Sequence, residues 1–167
     1  MSLLNIYSDC FLHLNTARKL GRPAPHKAIL LLSIMELIES GHIQSSRIEL
    51  TELLENTFLK LWKRYVGNSV IFQPKIATPF WHLQHENFWQ LHLTDGGDLN
   101  TITSPYSIKR LREYTYATLE QELFELMQNE DSRAALRVTL IGTYLQVQHN
   151  NTLPVISLIS TLILLAA

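Results

Sequence analysis

A histidine and a lysine stand side by side at the predicted start of the most apolar helix in the sequence. They are His26 and Lys27, directly after Pro25. Proline has a fixed φ and no N–H group, which suits the first position of a helix. The helix dipole disfavours cations in the first turn unless an anion lies opposite them, and free N–H groups at a helix N-terminus can hold a phosphate. This stretch therefore predicts an anion site.

Three further histidines lie close together, at positions 82, 85 and 92. Two short strands, 80–83 and 88–93, are predicted here, so that His82 and His92 share a face and His85 lies in the turn. No cysteine or paired carboxylate completes a metal site, which favours polar residues of a hairpin. There is also no Walker loop, dinucleotide fingerprint or zinc-protease helix. The sequence predicts a binding module rather than an enzyme, with no catalytic residue, metal or cofactor.

Basic side chains are concentrated in two places. The first lies within a segment between Asp9 and Glu36 that has no acidic residue, and the second follows a predicted helix cap at Ser107. Residues 117–131, in contrast, hold five acidic residues and no basic one. A basic face lets a near-neutral protein bind DNA through its phosphates, although solvated helix faces remain the alternative. The residues of the two clusters are Arg18, Lys19, Arg22 and Lys27, and Lys109, Arg110 and Arg112.

The composition is that of a globular protein. The chain has 167 residues, of which 46% are hydrophobic and 17% charged, enough for one domain with a sizeable core. A net charge of −1 excludes a bulk polycation, so a DNA surface must come from the placement of charges. The single Cys10 excludes an internal disulfide framework. With no signal-peptide pattern, a cytoplasmic location is expected.

Helical periodicity dominates the chain and predicts a mainly α fold with a small β-hairpin or wing (α+β), similar to a winged helix. Residues 1–146 are expected to form one domain. Residues 147–167 are an apolar segment that either packs on this domain or leads to a missing one. Because the uncharged run 155–167 is too short for a membrane span, no membrane is expected. Helices are predicted over 3–20, 25–39, 51–65, 107–114, 118–128 and 131–146.

Two motifs carry a resemblance to a known family. The run PAPHKAILLL at 23–32, followed by TPFWHL at 78–83, resembles the sulfur-binding domain of HNH-type, modification-dependent restriction endonucleases. The segment 136–144 is similar to the family's closing helix, so that the resemblance covers residues 1–146. That family reads phosphorothioate DNA, in which sulfur replaces a non-bridging phosphate oxygen. The resemblance implies a DNA-binding module of bacterial defence, with the family's HNH nuclease part absent from this chain.

The resemblance also implies site residues. His26 and Lys27 are expected to meet Pro79 around the modified phosphate, with Thr78 and His82 beside them. Sulfur is larger and less strongly hydrated than oxygen, so an apolar cavity favours it. The family often has arginine at position 27, and lysine cannot make a bidentate contact. The residues expected on phosphates and base edges of double-stranded DNA are Arg18, Lys19, Arg22, Lys109, Arg110 and Arg112.

Two other functions fit the same residues. A winged-helix-like regulator would use the basic face and ignore the modification. A protein-interaction domain would use the aromatic region that begins at Val70 and the apolar C-terminal segment. The sequence leaves a homodimer open in each case.

Overall fold

The computed structural model describes residues 1–99 and 107–145, which form helices around a small antiparallel sheet. The helices are α1 (Leu3–Leu12), α2 (His26–Glu39), α3 (Glu52–Tyr65), α4 (Ala77–His82), α5 (Ile108–Tyr114), α6 (Gln121–Gln128) and α7 (Glu130–Tyr144), with a 3₁₀ turn at Leu83–His85. The strands are β1 (Arg18–Lys19), β2 (Arg22–Pro23), β3 (Arg47–Ile48), β4 (Trp89–Leu93) and β5 (Thr115–Leu119).

Helix α2 forms the centre of the domain. It is buried on nearly all sides, from Lys27 to Ile38 with Glu36 only partly covered, and it contacts α3, α4, α6 and α7. Each fully buried aliphatic side chain in it stabilises the fold by about 1.5–3 kcal/mol. The prediction of a central helix is confirmed, although α2 begins at His26 and Pro25 is its N-cap.

The strands form two separate antiparallel sheets. Strands β1 and β2 make a short hairpin, and the other three form a sheet in the order β3-β5-β4. The central strand β5 places Thr118 opposite Arg47 of β3 and Gln90 of β4. Together with the helices, these sheets confirm a mainly α, α+β fold.

The first helix is much shorter than the predicted helix over 3–20. The hydroxyl of Tyr144 accepts the N–H of Leu14 at 2.9 Å, and a carboxylate oxygen of Glu86 accepts the N–H of Asn15 at 2.9 Å. These side chains, which are distant in sequence, bind N–H groups that a longer helix would direct to its own carbonyls. The sequence prediction was wrong here because tertiary contacts decide where the helix ends.

The residues expected in its last turn instead form the β1–β2 hairpin. Arg18 and Lys19 lie on β1, and the two-residue loop that follows has positive φ at both Leu20 (51°) and Gly21 (77°). Positive φ at both loop positions defines a type I′ turn, which matches the twist of a hairpin. The glycine therefore permits a turn between strands rather than marking the end of a helix.

The predicted strand at 80–83 is also wrong, because this segment belongs to α4 and the following 3₁₀ turn. Pro79 lies in the first turn of α4, where a missing N–H removes no helical hydrogen bond. The predicted strand at 88–93 does form β4, but its partner is β5 rather than residues 80–83. The expected local hairpin is thus replaced by a pairing between distant segments.

The helix predicted from residue 118 begins only at Gln121, and the preceding residues form β5. This strand alternates buried and partly buried positions and is rich in threonine and tyrosine, as strands are. The predictions for α3, capped by Thr51, and for α5, capped by Ser107, are confirmed. The helix predicted to start at 131 is α7.

The C-terminal segment 147–167 lies outside the described residues, as do residues 100–106. Among the described residues, no helix is both long and apolar enough to cross a membrane.

Candidate nucleic-acid interface

A surface pocket of about 400 Å³ lies at the N-terminal end of α2, where α2 packs against α4. Five residues expected around the modified phosphate all line it: His26, Lys27, Thr78, Pro79 and His82. The structure therefore brings together two sequence motifs that are about 50 residues apart. Pro79 is buried, whereas the side of α4 that carries Thr78 is exposed.

Further lining residues come from segments that sequence reasoning did not select. Asn15, Thr16 and Ala17 precede the hairpin, Ala24 follows it, and His85 ends the 3₁₀ turn. The backbone N–H of Ala24 donates to the carbonyl of Ala17 at 2.7 Å, which closes the base of the hairpin beside the pocket. The sequence carries no signal for these residues, since they face the pocket only because α1 ends early.

His26 is fixed by aromatic contacts and a backbone hydrogen bond. Its ring packs against Trp62 at 4.7 Å between centroids and against the edge of Phe72 at 6.0 Å. Its Nε2 lies 2.7 Å from the carbonyl oxygen of Gln73. Because a carbonyl only accepts, Nε2 carries the proton and Nδ1 of the neutral ring is an acceptor.

Burial lowers the pKa of His26. The hydrogen bond to Gln73 opposes this and raises the pKa, whereas the charges of Lys19 and Lys75 lower it further. The neutral ring is thus favoured near pH 7. Lys75 is exposed and close enough to influence this ring, which places a cation beside the pocket that sequence analysis missed. Its only signal in the sequence is its position shortly before Thr78.

Lys27 has an acidic partner inside the protein. Its Nζ donates to Oε1 of Glu86 at 2.5 Å, and the side chains are only 7% and 11% exposed. The same oxygen of Glu86 accepts the N–H of Asn15. The lysine expected to hold an anion is therefore already paired with a carboxylate, which the sequence did not indicate.

His82 stacks on His85, with ring centroids 5.7 Å apart and planes 24° apart. Burial lowers the pKa of His82, and the neighbouring His85 and Lys27 lower it further. His92, grouped with these histidines in sequence, lies on the sheet, where it hydrogen-bonds Thr118 at 2.8 Å. Across residues 1–99 and 107–145, no three histidine, cysteine or carboxylate side chains are grouped as metal ligands.

The first basic cluster borders the pocket through the hairpin. Arg18 and Lys19 are exposed on β1, and Arg22 on β2 is partly buried. The guanidinium of Arg18 donates to the carbonyl of Gly21 at 2.7 Å, which holds it along the hairpin turn. The hairpin base lines the pocket, and the charge of Lys19 acts on the His26 ring. Arg18 and Arg22 line a neighbouring cleft with Thr143 and Tyr144.

The second basic cluster is divided by the structure. Ile108 at the start of α5 lines a cleft together with Lys75 and Thr78, so this end of α5 adjoins the pocket. Lys109 follows it and is exposed, as is the next residue, Arg110. Arg112 instead contacts Glu55 of α3 and the carbonyl of Leu50, two residues before α3 begins.

The Arg112 guanidinium donates to a carboxylate oxygen of Glu55 at 2.6 Å and to the carbonyl of Leu50 at 2.9 Å. It also lies 3.7 Å from a carboxylate oxygen of Glu52. Two of its three partners are thus carboxylates of α3, whereas Lys109 on the same helix is exposed.

The fold and site are those of a small α+β domain with a partly apolar pocket bordered by basic residues. Residues 8–158 match the family described as ScoMcrA-like, DNA sulfur-binding domain. The match covers most of the chain, which therefore belongs to this family. Among curated proteins, no sequence matches this chain.

Three solved structures share the fold. The sulfur binding domain of ScoMcrA complexed with phosphorothioated DNA is 19% identical, with a TM-score of 0.63 over 88% of this chain and 92% of that chain. The corresponding complex of SprMcrA is 17% identical, with a TM-score of 0.60 over 86% of each chain. The sulfur binding and SRA domains of ScoMcrA, complexed with phosphorothioated DNA, are 18% identical, with a TM-score of 0.59 over 89% of this chain and 44% of that chain.

Proposed function

We propose that this domain binds double-stranded DNA that carries a phosphorothioate linkage and directs a modification-dependent restriction system to it. The observation that carries the proposal is the single pocket lined by His26, Lys27, Thr78, Pro79 and His82. Membership of the sulfur-binding family supports it, as do two relatives of the same fold whose structures are complexes with phosphorothioated DNA.

In this proposal the sulfur enters the pocket and contacts its apolar parts. The ring of Pro79 and the methyl groups of Ala17 and Ala24 line the pocket and supply carbon surface. A phosphorothioate sulfur loses less hydration than an oxygen when it leaves water, so this surface favours sulfur. The neighbouring His26 and His82 rings complete the walls without adding a full charge near pH 7.

In this proposal the DNA backbone around the pocket is held by cations. The base of the β1–β2 hairpin lines the pocket, and Lys75 and the start of α5 line an adjoining cleft that shares Thr78 with it. Contacts of this type position the duplex and make its binding sensitive to salt. We assign phosphate contacts to Arg18, Lys19, Arg22 and Lys75, and phosphate or base-edge contacts to Lys109 and Arg110.

The domain acts as a reader in this proposal, and cleavage of DNA belongs to another domain or chain. Arg112, which the sequence suggested for DNA, is assigned a positioning role because it joins α5 to α3. It would then hold Lys109 and Arg110 in place without touching DNA.

The test is a binding titration with two short duplexes that are identical except for one phosphorothioate linkage, at two salt concentrations. The duplexes cover a set of guanine-containing core sites, so that the preferred bases are found in the same experiment. We expect the modified duplex to bind at least about tenfold more tightly, which is about 1.4 kcal/mol. Equal but salt-sensitive binding would indicate a DNA-binding regulator, and no binding would indicate a protein partner.

A pair of variants provides the control for surface charge. Lys19→Ala removes a cation beside the pocket, whereas Lys60→Ala removes one that pairs with Glu36. Glu36 lies ten residues along α2 from His26, about 15 Å away. We expect only Lys19→Ala to weaken binding of both duplexes and to flatten the salt dependence.

A further inference from the structure

Three of the segments that line the pocket are the start of α2, residues 15–17 and the 3₁₀ turn. The carboxylate of Glu86 contacts the first two, and Glu86 directly follows the third in the chain. Its Oε1 accepts from Lys27 Nζ at 2.5 Å and from the backbone N–H of Asn15 at 2.9 Å. Its own backbone N–H donates to the carbonyl of Leu83 at 2.8 Å, which holds it directly after His85. One side chain thus connects the start of α2, the segment before the hairpin and the 3₁₀ turn.

Glu86 also offsets the charge of Lys27, which lines the pocket. Of the described residues that line it, Lys27 is the only lysine, and no arginine or carboxylate lines it. Burial lowers the pKa of His26 and of His82, which favours both neutral rings. The Lys27–Glu86 pair has no net charge and is almost completely buried. The pocket is thus close to neutral, although cations border it.

We propose that Glu86 is a specificity-determining residue that masks the charge of Lys27 and thereby makes binding in the pocket depend on sulfur. This inference rests on the proposed function and extends it. Without the mask, an ordinary phosphate oxygen would find a lysine ammonium in the pocket, and modified and plain DNA would both bind.

The physical basis is the different cost of removing oxygen and sulfur from water. A phosphate oxygen is strongly hydrated and needs a charged donor to replace its water. Lys27 already donates to Glu86, and an entering oxygen would approach the negative carboxylate as well as the ammonium. A sulfur atom loses less hydration and gains apolar contact, so the masked pocket penalises it less. The Lys27–Glu86 pair therefore increases the difference in binding affinity between phosphorothioate DNA and plain DNA.

The decisive variant is Glu86→Gln, which keeps the shape and the oxygen that accepts from Asn15 but removes the negative charge. We expect plain DNA to bind about tenfold more tightly, the value of one charge-assisted hydrogen bond. Phosphorothioate DNA should gain less, so the preference falls. The salt slope for plain DNA should steepen by about one contact. Glu49→Gln, at an exposed carboxylate that pairs with Arg47, is the control for net charge.

A purely structural ion pair predicts a different result. In that case Glu86→Gln would weaken both DNAs by the same factor, with the salt slope unchanged, and the proposal would be overturned. Thermal unfolding of each variant measures any loss of folded protein, so that affinities refer to folded protein alone.

A second variant keeps the proposal testable if the single change destabilises the fold. The double variant Lys27→Met with Glu86→Gln removes both charges and leaves a neutral pocket. We expect it to bind plain DNA as the unmodified protein does and to keep the preference for sulfur. If it loses affinity for both DNAs, Lys27 holds the phosphate directly and the masking proposal is wrong.

The outcomes also separate this inference from the proposed function. If the unmodified protein shows no preference for phosphorothioate DNA, both are rejected. If it shows the preference and Glu86→Gln leaves it unchanged, only the role of Glu86 is rejected.

Discussion

Pro79 is one of the pocket residues that supply uncharged carbon surface for sulfur in the proposed function. Its ring is buried in the first turn of α4 and lines the pocket. Pro79→Ala keeps the helix but removes ring carbons, at about 0.8 kcal/mol for each buried CH₂. We therefore expect phosphorothioate DNA to bind about tenfold more weakly and plain DNA to change little, in a titration of the matched duplexes. An equal loss for both would reject the assignment of Pro79 to the sulfur.

We expect His26 to make DNA binding depend on pH. Because burial lowers its pKa below the ordinary value of about 6.5, the free protein holds the neutral ring near pH 7. A nearby phosphate favours the protonated ring and raises this pKa, so that binding takes up protons. Affinity for both DNAs should therefore rise as the pH falls from about 7 to about 5.5. The measurement is a titration across this range.

The same histidine should lower the folding stability as the pH falls, whereas it should raise the affinity for DNA. The unfolded chain binds the proton more readily than the folded one, so folding stability is complete above about pH 6.5 and decreases below it. His26→Gln should flatten both pH dependences in part, since His82 shifts in the same direction. His42→Gln, beyond the C-terminal end of α2, is the control for the loss of a histidine that does not line the pocket.

Site residues that belong to a sequence motif could be predicted from the sequence. Site residues whose role depends on tertiary contacts could not. The two motifs supplied five residues that do line one pocket. Glu86 is 59 residues from Lys27, and no local pattern links them. Arg112 was grouped with its basic neighbours, although its partners on α3 and at Leu50 lie far away in sequence.

Among the elements, the β1–β2 hairpin contains the clearest conformational strain. Leu20 has a φ of 51° and is 85% exposed, so it has an unfavourable backbone conformation with little packing to offset it. Leu20→Asn creates an Asn-Gly pair, the preferred type I′ turn. We expect the hairpin to be stabilised by about 0.5–1 kcal/mol, measured as greater hydrogen-exchange protection of the Ala24 N–H, which bonds Ala17.

The opposite change provides the control. Gly21 has a φ of 77° and open space where a Cβ would lie, so Gly21→Ala adds conformational strain without a clash. It should lower the protection of the same amide. A more rigid hairpin holds Arg18 and Lys19 in place, so Leu20→Asn should keep or improve DNA affinity. Greater protection with weaker binding would instead show that Leu20 itself contacts DNA.

The elements were predicted well where their stability is local and poorly where it is not. The apolar run of α2 and the cap of α3 by Thr51 are signals within a few residues, and both were confirmed. The segment 80–83 has aromatic residues that fit a strand or a helix, and packing on α2 decides for α4. Strand β5 pairs with segments far from it in the chain, which local periodicity does not show.

Across the whole molecule, the arrangement of charge follows the direction of α2. The pocket lies at its N-terminal end, while ion pairs of Glu36 with Lys60 and of Glu39 with Arg137 lie near its C-terminal end. The acidic residues that follow β5 contact α1, where the hydroxyl of Tyr7 donates to a carboxylate oxygen of Glu120 at 2.6 Å. These acidic groups lie away from the pocket, and in the proposed function DNA approaches the end of the domain that holds the N-terminus of α2.

Arg112 joins distant parts of this molecule, since its hydrogen bond to the Leu50 carbonyl spans 62 residues and its pairing with Glu55 spans 57. Arg112→Ala should lower the free energy of unfolding by about 1–2 kcal/mol, a modest value because the pair is partly exposed. We expect both DNAs to weaken by the same factor, since α5 loses its support. Denaturant unfolding and the matched-duplex titration measure these effects.

Lys109→Ala is the matched comparison on the same helix. Its exposed side chain predicts a change in stability within about 0.5 kcal/mol, together with weaker binding and a flatter salt dependence. Competition among duplexes with altered bases then separates the two roles of Arg112. If Arg112→Ala relaxes the preference at one base pair while stability is unchanged, Arg112 reads DNA, as its position in the sequence suggests. If stability falls and the base preference remains, Arg112 holds α5 in place for Lys109 and Arg110.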